Sequence, residues 1–153
     1  MAASTDLSHR FGGESVGRAL ELVGERWTLL ILREAFFGVR RFGQLARNLN
    51  IPRPTLSSRL RMLVEAGLLE RVPYSVDPER HEYRLTAAGR DLFGAIVALM
   101  RWGDEHLPHP NGPPIVLRHN DCGQLADARL TCAHCGDEIN AHNVTPEPGH
   151  GYT

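Results

Sequence analysis

Apolar residues recur every three or four positions in four successive stretches from Val16 to Val64. That is the spacing of helices with one buried face. Val16, Ala19, Leu20 and Val23 form the first stripe, and Gly24 punctuates it. Trp27, Leu30, Ile31 and Ala35 form the second, which stops near Gly38. Phe42, Leu45, Ala46 and Leu49 form a short third. The fourth starts near Pro54, suited to a first helical turn because the N–H it lacks has no partner there. It carries Leu56, Leu60, Leu63 and Val64, and Gly67 stands where a helix would end in a left-handed residue. The period then changes. Residues 68–72 and 80–85 read as strands, with His81, Tyr83 and Leu85 alternating against Arg80, Glu82 and Arg84 in the second. Pro73 to Glu79, with its Asp77-Pro78 turn signal, is expected to form a long exposed hairpin tip.

Thr86 is a suitable cap for one last helix running to about His106. Leu92, Ile96 and Leu99 form one stripe on it, extended by Trp102; Phe93, Val97 and Met100 form another beside it. A single core needs an apolar arc of only about 100°. The second stripe therefore points to a second buried face, against a twin helix in a dimer. Pro108 to Pro114 is too rich in proline to continue the helix and reads as a linker. The expected organisation is a flexible leader at 1–13, a main domain of helices and one hairpin at 14–107 that also carries the dimer helix, the linker at 108–114, a small compact segment at 115–142 and a mobile tail at 143–153. The fold class expected is mainly α (α+β): helices and one hairpin, with a long C-terminal dimerisation helix and a small β appendage.

The chain has 153 residues, 42% hydrophobic and 23% charged, enough for one packed domain and an appendage. No apolar run approaches the roughly 18–20 residues needed to span a membrane, and MAASTDLSHR lacks the order of a secretory signal. The expectation is a cytoplasmic protein at the nucleoid. The net charge of −1 is unevenly spread. From Gly38 to Arg90 there are ten arginines against five acids; from Asp104 onward two arginines face seven acids. A basic middle suits a polyanion.

The middle also has the layout to use that charge. A short helix and a longer one joined by Asn50-Ile51-Pro52 form a helix-turn-helix, in which the second helix enters the major groove. Leu56, Leu60 and Leu63 anchor its inner face, leaving Arg53, Thr55, Ser57, Ser58, Arg59 and Arg61 for the outer face or its flanks. Small hydroxyls permit close approach, and helix-start N–H groups hold phosphate. Arg40 and Arg41 are phosphate clamps ahead of the bracing helix. The hairpin would be the wing, with Tyr74, Arg80 and His81 able to reach the minor groove or its phosphates.

All three cysteines lie in the last third. His119-x-x-Cys122-Gly123 is followed by Cys132-x-x-Cys135-Gly136. Two turns of the form ligand-x-x-Cys-Gly are the zinc-ribbon arrangement, and a Cys₃His set closes all four tetrahedral positions, as in structural rather than catalytic sites. A segment of some thirty residues has too little core to fold alone, and zinc supplies roughly 10 kcal/mol or more. His119 is the expected fourth ligand; Asp121, His134 and His142 are alternatives. The histidines at 9, 81, 106, 109 and 150 read as surface residues.

Residues 15–106 resemble the HxlR family of bacterial winged-helix regulators, related in design to MarR-type proteins. The matching stretches are Gly-Glu-Arg-Trp-Thr-Leu-Leu-Ile-Leu-Arg (24–33), Arg-Arg-Phe-Gly-Gln-Leu (40–45), Ile-Pro-Arg-Pro-Thr-Leu-Ser-Ser-Arg-Leu (51–60), Gly-Leu-Leu-Glu-Arg (67–71) and Tyr-Arg-Leu-Thr-Ala-Ala-Gly-Arg (83–90). The resemblance implies a DNA-binding regulator, usually a repressor, that acts as a homodimer on a palindromic operator. The dimer is built from the first and last helices, which puts Val16, Leu20, Phe93, Val97 and Met100 at the interface. It also implies groove-facing positions at Thr55, Ser58 and Arg59 and a core tryptophan at Trp27. Several relatives that sense oxidants carry a cysteine just before the first helix; here Glu14 stands at about that place, and residues 1–121 hold no cysteine. A small-molecule effector is expected in a crevice between the dimer helices and the DNA-binding lobe. The alternative is a protein-interaction module that uses the winged helix for pairing and the ribbon for docking. Neither a Ser-His-acid set nor a phosphate-cradling glycine loop is present, so no enzyme is expected.

Overall fold

The computed structural model describes residues 14–151. Among them are six helices and one two-stranded sheet. Helix α1 (Ser15–Val23) starts at Glu14, whose carboxylate accepts the N–H groups of Val16 and Gly17. The position expected from the resemblance to be a redox cysteine in some relatives is thus a helix cap here. Helix α2 (Arg26–Phe36) is capped by Glu25 and buries Thr28, Ile31, Leu32 and Glu34. Helix α3 (Phe42–Leu49) ends at Asn50, which takes the left-handed conformation (φ 49°). Helix α4 (Arg53–Glu65) buries Leu56, Leu60 and Leu63.

Strands β1 (Leu69–Val76) and β2 (Glu79–Leu85) pair antiparallel, from Leu69 opposite Leu85 to Val76 opposite Glu79. The exposed tip is shorter than the sequence suggests, because β1 continues through Pro73. The register shifts between Pro73 and Ser75, leaving Tyr74 as the bulged residue. A bulge in a two-stranded sheet tolerates a residue without an N–H. Glu82, expected on the polar side, is buried; its carboxylate accepts the Arg84 Nε–H at 2.8 Å. A buried charge persists only with such a partner.

The last helical stretch is two helices rather than one: α5 (Ala87–Asp91) and α6 (Phe93–His106). At Leu92 the chain tightens, its N–H donating to the Gly89 carbonyl three residues back at 3.2 Å. One turn earlier the chain is tied down. Thr86 caps α5 by accepting the Gly89 N–H, and its hydroxyl donates to the Gly67 carbonyl. A Cβ on Gly89 would lie 2.1 Å from the Leu68 carbonyl oxygen, so α5 sits directly on the chain entering β1.

The core comprises Ile31 and Leu32 from α2, Leu45 from α3, Leu56, Leu60 and Leu63 from α4, and Leu69 from β1, with Trp27 half-buried against it. This is a winged helix-turn-helix fold. The chain divides after Ile96 into two compact units. The second holds the rest of α6 and an irregular segment with two isolated β-bridges, Arg118 to Leu125 and Thr131 to Glu138. The leader expected at 1–13 lies outside the described residues, as do the last two positions of the tail. No helix of the described residues is long and apolar enough to cross a membrane.

Candidate nucleic-acid interface

The turn between α3 and α4 is fixed by two residues. Asn50 supplies the left-handed step that ends α3, and Ile51 is buried in the core. Pro52 then starts α4 without any side-chain cap, and Pro54 sits in the first turn. The helix therefore opens with a positive dipole end and no side chain answering it. Around α4, Arg53, Ser57, Ser58 and Arg61 are exposed, opposite the buried Leu56, Leu60 and Leu63; Thr55 and Arg59 are half-buried. From Arg53 the first acid on this helix is Glu65, its last residue.

Not every expected cation is free of internal partners. The Arg59 Nε lies 3.2 Å from a Glu25 carboxylate oxygen, and Glu25 also accepts the Trp27 N–H at 3.1 Å. Arg53 lies over the Phe42 ring at 5.5 Å, and Arg41 over Tyr74 at 4.4 Å, which joins the entry of α3 to the wing. Such stacking costs a guanidinium none of its outward hydrogen-bond donors. The Arg40 side chain is exposed while its carbonyl accepts the Tyr83 N–H at 2.7 Å, extending the sheet by one bond. On the wing, Arg80 is exposed. His81 is half-buried between Arg71, 3.1 Å from Nδ1, and Glu79, 3.1 Å from Nε2. The structure thus stacks Arg41 on Tyr74 near the wing tip, ties the Arg40 backbone to β2, and aligns Arg53, Ser57, Ser58 and Arg61 along α4.

Two acids missed in the sequence organise this lobe. Glu34, buried on α2, accepts Asn48 Nδ2–H at 2.8 Å and Arg33 Nη2–H at 2.9 Å, bracing α2 against α3. Glu25 caps α2 and meets Arg59. Apolar spacing marks neither; Glu34 is buried and Glu25 about one-third exposed, and only the tertiary pairing reveals what each holds.

The expected dimer residues fall into two groups. Val16 (63% exposed), Leu20 (54%) and Phe93 (46%) stand open to solvent; Val97 and Met100 are half-buried. Leu99 and Trp102 on α6 are exposed as well.

The expected metal ligands come together as two pairs. His119 Nδ1 lies 3.3 Å from Cys122 Sγ. The backbone N–H groups of Cys135 and then His134, with the Cys135 side chain, hold the Cys132 thiol below its ordinary range. Gly123 (φ 71°) and Gly136 (φ 79°) take the left-handed step after each pair. Among the described residues no three His, Cys, Asp or Glu side chains gather closely enough to enclose an ion.

Residues 22–111 match the HxlR-like helix-turn-helix family. The uncharacterized HTH-type transcriptional regulator Rv3095 of Mycobacterium tuberculosis is 81% identical over 150 residues, covering 98% of this chain and 95% of the relative. The uncharacterized HTH-type transcriptional regulator YtcD of Bacillus subtilis is 35% identical over 94 residues, 61% of this chain and 75% of the relative. Among solved structures, PA1607, described as a candidate transcription factor, superposes with a TM-score of 0.80 at 33% identity over 93% of this chain and 99% of its own. The redox regulator HypR in its reduced form does so with 0.57 at 28% identity over 60% and 92%. A helix-turn-helix regulator has no enzymatic role to fill, and the fold, the α3–turn–α4 geometry and these relatives agree: the chain belongs to the HxlR-like helix-turn-helix family of transcriptional regulators.

Proposed function

We propose that the protein is a sequence-specific DNA-binding repressor, acting in the cytoplasm at the nucleoid as a homodimer on a palindromic operator. The observation that carries this reading is the outer face of α4, where Arg53, Ser57, Ser58 and Arg61 are exposed with no acid before Glu65. A helix of 13 residues is about 20 Å long, enough to lie in a major groove. Its uncapped start favours a phosphate, the serines allow close approach, and the arginines fork onto guanine edges or phosphates. Arg40 and Arg41 would hold the flanking backbone, and Arg80 on the wing the adjacent groove. Thr55, Arg59, Tyr74 and His81 serve more as the supports of this face than as its leading contacts, because each is half-buried or engaged with another side chain.

Pairing is supported by the apolar side chains left open on α1 and α6. Five large ones, Val16, Leu20, Phe93, Leu99 and Trp102, are each at least 46% exposed. Large apolar side chains left exposed on a helix mark an interface, and two-fold pairing of α4 helices matches a palindrome. A dimer seated on promoter DNA blocks transcription by occupancy. The second unit contains an open groove of about 400 Å³ bordered by Val97, Met100, Arg101, Ile115, Val116 and Leu125, a size that suits a small effector.

The test is binding of the purified protein to its own upstream DNA, followed by fluorescence anisotropy across a salt series. Affinity should fall steeply as salt rises, and Arg61→Ala should weaken binding about tenfold without changing the melting temperature. A protein that ignores every duplex at low ionic strength would instead act as a protein-interaction module.

A further inference from the structure

We infer that residues 117–139 form one structural zinc site, with His119, Cys122, Cys132 and Cys135 as its four ligands. The backbone of this segment repeats itself in a way that the sequence spacing alone does not reveal. Shifted by thirteen positions, the two turns make the same hydrogen bonds. His119 N–H donates to the Gln124 carbonyl at 2.8 Å, and Cys132 N–H to the Asp137 carbonyl at 2.8 Å. Gly123 N–H donates to the His119 carbonyl at 2.8 Å, and Gly136 N–H to the Cys132 carbonyl at 2.7 Å. Ala126 N–H reaches the Leu117 carbonyl, and Ile139 N–H the Leu130 carbonyl, each at 2.8 Å. The bridges Arg118–Leu125 and Thr131–Glu138 complete the correspondence, and Gly123 and Gly136 share a positive φ.

This repeat decides the fourth ligand. His119 occupies in the first turn the place that Cys132 occupies in the second, and Cys122 the place of Cys135. Asp121 and His134 fall at a matching non-ligand position, and His142 lies outside both turns. The donor set fits zinc: three thiolates and one imidazole satisfy a tetrahedral d¹⁰ ion and leave no open position. Each turn alone offers only two donors, and two donors do not close a tetrahedron. Among the described residues no three such side chains gather on their own; a bound ion would join one turn to the other.

The energetics require a cross-link of this kind. From Leu107 to Gly151 no side chain is buried; Leu117, Cys132 and Ile139 are half-buried at most. Ile115, Val116, Leu125 and Leu130 are exposed. A segment with no apolar core does not hold two regular turns by hydrophobic burial. Metal binding supplies the missing folding free energy, and a site of four protein ligands with no vacancy is a staple rather than a catalyst.

The experiment uses the full-length protein purified without chelator, with metal per chain measured by mass spectrometry. The expected result is one zinc per chain, reduced to less than a tenth in both Cys122→Ser and Cys132→Ser. His119→Cys should retain the ion, which separates ligation from general misfolding. Cobalt substituted for zinc should give the intense visible bands of tetrahedral thiolate coordination. Zinc that neither copurifies nor is taken up from micromolar solution would overturn the inference. So would a Cys122→Ser protein with unchanged zinc, because the two turns would then not share one ion. None of these readouts depends on DNA binding.

Discussion

The Arg59 guanidinium on α4 reaches back to the Glu25 carboxylate that caps α2, with Nε and Oε2 3.2 Å apart. Both side chains are about one-third exposed, so the pair itself adds little stability, at most about 1 kcal/mol. Its consequence is electrostatic. A carboxylate beside the candidate groove helix would repel phosphate and hold one arginine away from it. Glu25→Gln keeps the oxygen that accepts the Trp27 N–H but removes the charge. The expected outcome is duplex affinity several-fold higher at low salt, converging with the parent as salt screens the difference. Anisotropy titrations of the two proteins in parallel check it; equal affinities at every salt would place Arg59 and Glu25 outside the interface.

The first four helices are legible because each has one apolar stripe with a stop: Gly24 after α1, Gly38 after α2, Asn50 after α3 and Gly67 after α4. The candidate groove helix was legible for the same reason, since fixing Leu56, Leu60 and Leu63 inside leaves the arginines and serines outside. Pairings between elements were not legible. Glu25 with Arg59 joins positions 34 residues apart, and Glu34 with Asn48 joins positions 14 apart; no local pattern announces either. The break at Leu92 was hidden because helical periodicity passes through it unchanged. It becomes visible only when Gly89 is seen against the Leu68 carbonyl.

Asn48→Ala is expected to destabilise the DNA-binding lobe by about 1–3 kcal/mol, because it strips one of two donors from the nearly buried Glu34 carboxylate. Asn48 is itself exposed, so the loss should exceed what an exposed asparagine normally costs. Urea denaturation measures it. Glu34→Gln, which keeps an acceptor of similar shape without the charge, should recover part of the stability if the carboxylate's desolvation is the dominant cost.

Gly89→Ala places a methyl carbon where the Leu68 carbonyl oxygen stands, 2.1 Å away and backed by strand backbone rather than a flexible side chain. The α5 turn must then lift off β1, breaking the Thr86 contacts to Gly67 and Leu68. A loss of about 2 kcal/mol or more is expected, against the gain of up to 1 kcal/mol that alanine gives in an unconstrained helix. Gly94, one turn on in α6, has nothing within 4 Å of its would-be Cβ and serves as the control. Thermal melts should fall for Gly89→Ala and hold or rise for Gly94→Ala.

Leu20 on α1 and Phe93 on α6 are 54% and 46% exposed in the isolated chain, and the Phe93 ring meets Phe36 edge-on at 5.3 Å. If the open face of α1 is half of a two-fold interface, Leu20→Glu puts two like charges into the buried apolar surface, once from each copy. That substitution costs the folded monomer little, because more than half of Leu20 is exposed there. Its effect should therefore fall on association: a shift from dimer to monomer at micromolar concentration by sedimentation velocity, with the circular dichroism of the helices retained. Operator affinity should fall in step, since each α4 would then bind one half-site alone. A Leu20→Glu protein that stays dimeric would move the interface off α1.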